Sequence, residues 1–355
     1  MNTRKTRNAV MVAVALTAIW NASAAEITTV KSFYYGNSFT GNTMPGLHPL
    51  LGKSAGKTWE VGAAISAGVP IWSHMKGLMD KSPAAVKGLQ GDYDVVVGQI
   101  FAGEGLEFVT ESMWQGKVKF DKPTDVGDVA ALTYVFREFV KAHPLARAYI
   151  YTSWPTIPIE ELATQTGLTK AGEKINNKGF TEEQMEVFRK AFNYEKAWLA
   201  EYDPKNPKGK THTRAHMYAA MEGVKKNLPE LWAQGRLGMI PVGDVFLAVD
   251  KKMRAGQVPG LENVGQYLSN GHLRSGLPRY TLGATFYAVL FQEHPGKLDR
   301  AIYNERSNYD SMKYGFYVHQ PDLGEHVEIT PERKKVVDDA IWEIVAGHPY
   351  TGVKK

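Results

Sequence analysis

Apolar residues fall in short, nearly continuous runs separated by stretches of helical spacing, and that rhythm sets the first expectations. Residues 27–35 alternate and then run apolar with β-branched and aromatic side chains, which predicts a first strand. Residues 58–63, 93–100, 146–153 and 237–242 predict four more. The 93–100 run is almost unbroken, as expected of a parallel strand covered on both faces. Helical spacing covers 45–53, 71–79, 126–142, 245–254 and 280–291, and His143-Pro144 ends the third of these because the residue before proline is pushed out of the helical region. A last amphipathic helix opens on Thr330 as cap and Pro331 as first residue, with Val336, Val337, Ile341, Ile344 and Val345 on one face. Strand alternating with helix predicts an α/β fold, a three-layer α/β/α sandwich around a central, mainly parallel sheet. Ligands of such sheets sit at the C-terminal strand ends. Over residues 156–230 the strand rhythm stops, and the spacing predicts a helical insertion.

Residues 1–24 read as a leader. Arg4, Lys5 and Arg7 precede an apolar run over 9–20, and Ala22-Ser23-Ala24 supplies small residues for cleavage. One domain over 25–355 is expected, exported to the periplasm or the medium, soluble and without a membrane span. The chain carries +5, and loss of the three leader residues lowers this to +2, which removes the global support for a nucleic-acid partner. With Cys absent there are no disulfides, thiolate nucleophiles or Cys-bound metals. An exported chain of this kind must rely on a large apolar core. Leu51-Gly52-Lys53-Ser54 lacks the rest of a phosphate-loop pattern, so nucleotide binding is not expected.

The first strand runs into Tyr35-Gly36-Asn37-Ser38-Phe39-Thr40. A serine on a tight glycine turn between strand and helix is exposed enough to attack a carbonyl, and its own amide can face the oxyanion. The same residues also serve as a plain helix cap. Near the other end, Ser269-Asn270-Gly271-His272 offers His272 as a base. His212 and His216, four apart, read as surface histidines rather than metal ligands, and no metal site is expected. His48 and His74 follow strand-end loops, where they either line a pocket or face solvent. Trp72, Trp114, Trp154 and Trp232 are split between core packing and a sugar-facing stripe. Arg274 and Arg279 suit either an acidic substrate group or a salt bridge.

Four blocks in order give the chain a resemblance to the SGNH or GDSL-like hydrolase superfamily, in its Gly-Asn-Ser branch: Gly36-Asn37-Ser38, Ser66-Ala67-Gly68, residues 93–99 ending in Gly98-Gln99, and Gly271-His272. The resemblance implies a flavodoxin-like SGNH hydrolase fold and a serine esterase. Ser38 is then the nucleophile and His272 the base, with the Ser38 and Gly68 amides and the Gln99 side chain as oxyanion donors. No cofactor is implied. The implied substrate is a small-molecule or glycan ester, O-acetylated carbohydrate foremost. Where the pattern has an aspartate shortly before the histidine, this chain has Ser269 and Asn270. Three outcomes stay open: a dyad whose His272 is oriented by Asn270, Ser269 or a backbone carbonyl, a carboxylate supplied by Asp244 or Glu104, or a degenerate fold that only binds carbohydrate or cell wall.

Overall fold

The computed structural model describes residues 26–100, 127–170, 180–202, 212–269, 271–309 and 325–353. Five parallel strands form the central sheet: β1 (Thr29–Gly36), β2 (Thr58–Ile65), β3 (Val95–Gln99), β4 (Arg147–Tyr151) and β5 (Leu237–Ile240), in the order β2-β1-β3-β4-β5. Ser32 pairs with Val61 on one side and Val95 on the other, so β1 lies between β2 and β3. The chain therefore reverses its direction of winding between β1 and β3. That is the switch point beneath which such sheets hold ligands.

The two faces of β1 show why its run is apolar throughout. Successive side chains point to opposite faces. Phe33 and Tyr35 meet α4 (Pro83–Gln90), where the Tyr35 hydroxyl donates to the Ala85 carbonyl at 2.8 Å. Tyr34 points the other way, onto Phe286 with ring centroids 5.5 Å apart. With α4, helices α3 (Ile71–Met79) and α5 (Asp128–Ala142) build the first layer. The second contains α2 (His48–Ser54), α11 (Val242–Arg254), α12 (Leu277–Phe291) and α14 (Pro331–Gly347). All fifteen residues of α12 are buried between the sheet and α14. Each large apolar side chain placed there contributes about 1.5–3 kcal/mol relative to exposure. The Thr330 side chain caps α14 as its sequence announced, accepting from the Arg333 amide.

Between β4 and β5 the chain carries α6 (Ile159–Gln165), α7 (Glu182–Ala191), α8 (Tyr194–Trp198), α9 (Arg214–Asn227) and α10 (Pro229–Ala233). Thr181 and Gln184 close a reciprocal capping box on α7. This stretch is anchored by packing: α9 lies on α5, α8 on α11, and Arg189 donates to the Leu268 carbonyl at 2.9 Å. After α11, where the sequence predicts a loop, a two-stranded hairpin forms from β6 (Leu268–Ser269) and β7 (His272–Leu273). Among the described residues no helix is long and apolar enough to cross a membrane. The leader expected over 1–24 lies outside them.

Candidate active site

The Gly36-Asn37-Ser38 turn is locked by side chains from three elements. Asn37 has extended backbone and its Oδ1 accepts the Phe39 amide at 2.9 Å, so α1 (Ser38–Gly41) starts at Ser38. Gln99, at the end of β3, reaches under the turn. Its Oε1 accepts the amides of Asn37 at 3.2 Å and Thr40 at 2.9 Å and the Thr40 hydroxyl at 2.5 Å, while Nε2 donates to Asn37 Oδ1 at 2.9 Å. A Cβ on Gly36 would lie 2.0 Å from Thr40 Oγ1, so the turn and its brace require glycine there. From α3, His74 donates to the Gly36 carbonyl at 2.9 Å, and burial pushes its pKa down, keeping it neutral. Ser38 itself stays partly exposed.

His272 arrives on the β6–β7 hairpin, in register with Ser269. Two residues connect the strands, and Gly271 has φ +84°, the left-handed geometry that makes Asn-Gly the favoured dipeptide for so short a connection. Leu273, next to His272, is held from both sides. Its amide donates to Asn42 Oδ1 at 2.7 Å, and its carbonyl accepts from Arg279 Nε and Nη2 at 3.1 and 2.8 Å. Asn42 Nδ2 in turn donates to the Ser38 carbonyl at 2.6 Å. Trp154 Nε1 donates to the Gly271 carbonyl at 3.1 Å, and the Phe39 ring lies 4.8 Å from Trp154 and 5.5 Å from the His272 ring, centroid to centroid. Serine turn and histidine hairpin thus share one carboxamide and one aromatic cluster.

Other expected residues take different places. Gly68 is exposed just beyond β2, with φ +67°. Gln99 is 1% exposed, and both ends of its carboxamide are bonded to Asn37 and Thr40 beneath the serine turn. Asp244 does not orient His272: its carboxylate accepts from Trp198 Nε1 at 3.1 Å, Arg214 Nε at 2.9 Å and the Tyr218 hydroxyl at 3.0 Å, with His348 Nε2 at 3.5 Å. Burial opposes its ionisation, but His348, Trp198 and Arg214 outweigh this and hold the carboxyl below its usual value. Ser269 faces His272 across the hairpin; Asn270 and Glu104 lie outside the described residues.

The arginines near the histidine do not face a substrate. Arg279 is fully buried, and Arg274 is bound to the Glu325 carboxylate and to the Glu325 and Gln266 carbonyls. His48 belongs to the core, stacked on Trp59 at 4.2 Å and bonded to the Tyr34 hydroxyl and the Thr43 carbonyl. Nor is the 212–216 pair on the surface. His216 is buried against Asp128 at 3.0 Å, and His212 is partly buried with Nδ1 2.7 Å from Ser153 Oγ. Burial raises the Asp128 carboxyl and depresses both imidazoles. Trp154 packs inside the cluster, while Trp232 packs against Tyr350, so they form no common stripe; Trp114 lies outside the described residues. Sequence reasoning missed Asn42 and Arg279 as clamps. The one available signal was that Asn42 stands four residues after Ser38, one helical turn on.

No family model and no curated protein matches the chain. Solved structures similar to it include a DUF4886 family protein from Bacteroides uniformis, 14% identical, with 90% of this chain and 95% of that one covered at a TM-score of 0.47. Another is a protein from Slackia heliotrinireducens provisionally named an SGNH hydrolase, 14% identical, covering 73% and 96% at a TM-score of 0.35. At these scores the likenesses add no argument about chemistry, which rests on the residues described above.

Proposed function

We propose that the chain is an exported serine ester hydrolase of SGNH type. In this reading Ser38 Oγ attacks the ester carbonyl and His272 takes its proton. His272 then returns the proton to the alcohol, and water cleaves the acyl-serine. The amides of Ser38 and Gly68 receive the oxyanion, each worth about 3 kcal/mol of transition-state stabilisation in sites of this kind. Asn37, the residue before Ser38, has a buried Nδ2 without a hydrogen-bond partner among the described residues and is a further candidate donor. With Asp244 committed elsewhere, His272 acts in a dyad steered by its hairpin, with Ser269 as its cross-strand neighbour. An O-acetylated carbohydrate is the first substrate class to try.

The observation that carries the reading is the Asn42 bridge, which ties the Ser38 carbonyl to the strand of His272. A helix cap alone has no need of that tie. Labelling with a fluorophosphonate tests it directly: Ser38 is modified in the native chain, and His272→Ala slows the reaction by orders of magnitude. Labelling that is absent, or indifferent to His272, sinks the dyad.

A further inference from the structure

The 156–230 excursion lines a half-open cavity of about 430 Å³ between α6, α8 and the segment after β4, a volume suited to a small molecule. Its wall touches the chain neighbour of each member of the candidate dyad. Thr156 lies against Gly271, where a Cβ would come within 3.0 Å of its Cγ2, and Gly271 precedes His272. His212, also in the wall, packs its ring edgewise on Phe39 at 5.4 Å, and Phe39 follows Ser38.

The sheet order says which half of an ester this cavity faces. Gly68 follows β2, on one side of β1, whereas Pro155 and Thr156 follow β4, on the other. The oxyanion and the cavity are therefore on opposite sides of Ser38. The group on the side of the base is the one the base protonates as it leaves, the alcohol.

The lining describes that alcohol. Pro155, Leu162 and Phe192 offer apolar surface, and Thr156, Gln165 and Asn193 offer hydroxyl and amide groups. The charged members cancel: Glu161 and Lys196 pair at 3.6 Å, and Glu161 also accepts from Gln165 at 2.9 Å. Burial keeps His212 neutral. No net charge is presented to a ligand.

Resting on the esterase reading, we propose that this insertion-built cavity receives the leaving alcohol of the ester and selects a neutral, hydroxylated small molecule. Three probes separate the two halves of the ester: ethyl acetate, ethyl butyrate and 6-O-acetylglucose. Ala200→Trp fills the cavity from its partly buried wall, and Gln165→Trp does so from the exposed face of α6. Either variant is expected to raise KM for 6-O-acetylglucose about tenfold or more, while kcat/KM for both ethyl esters stays within about twofold. Binding of 6-O-acetylglucose to Ser38→Ala, read by saturation-transfer NMR, should disappear when Ala200→Trp is added.

Loss confined to ethyl butyrate would make the cavity an acyl pocket and overturn the proposal. So would Ser38-dependent turnover that neither tryptophan affects, which leaves the esterase reading standing. Binding that depends on Ala200 without turnover of any probe retains the cavity and removes the esterase. Absence of both binding and turnover of 6-O-acetylglucose would overturn the assignment.

Discussion

Asn42 holds Leu273 by its amide at 2.7 Å while the other end of the same carboxamide holds the Ser38 carbonyl at 2.6 Å. Residues from opposite ends of the chain are thereby fixed relative to one another by a planar, rigid group. An acyl-transfer site depends on such fixing, because small displacements of the reacting groups cost large factors in rate.

Removing that carboxamide should cost activity beyond its cost in stability. In Asn42→Ala the two lost hydrogen bonds destabilise the fold by about 1–3 kcal/mol. Ser38 labelling and kcat/KM should fall about 10- to 100-fold. Fluorophosphonate kinetics and thermal unfolding on the same protein check this; unchanged labelling beside a lowered Tm would reduce Asn42 to a structural tie.

Gln99 offers a second test, between a brace and an oxyanion donor. As a brace, its truncation in Gln99→Ala strips the acceptor from two buried amides and the Thr40 hydroxyl, so stability should drop by about 3 kcal/mol. Activity should fall together with stability. A rate loss of about 10²–10³ at unchanged Tm would restore the oxyanion role.

What could be read beforehand follows from where the information is local. The five strands and helices α11, α12 and α14 announce themselves because burial imposes a run or a period on contiguous residues. Residues 93–100 and the Thr330-Pro331 start are the clearest cases. Ser38, Gly68 and His272 stand out as candidates through short motifs. The β6–β7 hairpin was not, since two residues per strand carry no period and its stability comes from Arg189, Asn42 and Arg279 reaching in from elsewhere. Gln99 shows the same limit: its position was legible, but its role depends on Thr40 and Asn37 lying across the sheet from it. His216 looked exposed because its partner Asp128 is distant in sequence.

Arg279 is a buried guanidinium, and its bonds to the Leu273 carbonyl hold the histidine hairpin from the side opposite Asn42. Burial lowers its pKa to about 10, a measure of the cost of holding the charge there. Replacement by methionine removes that cost but leaves a buried carbonyl without donors, and the two effects oppose each other. Arg279→Met should therefore change stability by only about 1 kcal/mol and slow Ser38 labelling about tenfold. Denaturant unfolding paired with labelling kinetics checks it; a fully active variant would remove Arg279 from the positioning of His272.

His48 predicts how the fold responds to acid. Burial depresses its pKa to about 3, while an imidazole in the unfolded chain titrates near 6.5. Between these values the unfolded state binds a proton that the folded state refuses. Stability from this residue is therefore complete above about pH 6.5 and is lost as pH falls toward 3, at up to about 1.4 kcal/mol per pH unit. Glutamine can still reach the Tyr34 hydroxyl and the Thr43 carbonyl, but it does not titrate. His48→Gln should be less stable at pH 7 by about 1–3 kcal/mol yet show a shallower decline between pH 6 and 4. Urea unfolding across that range measures both, and equal slopes in the two proteins would mean that His48 is protonated without opening the core.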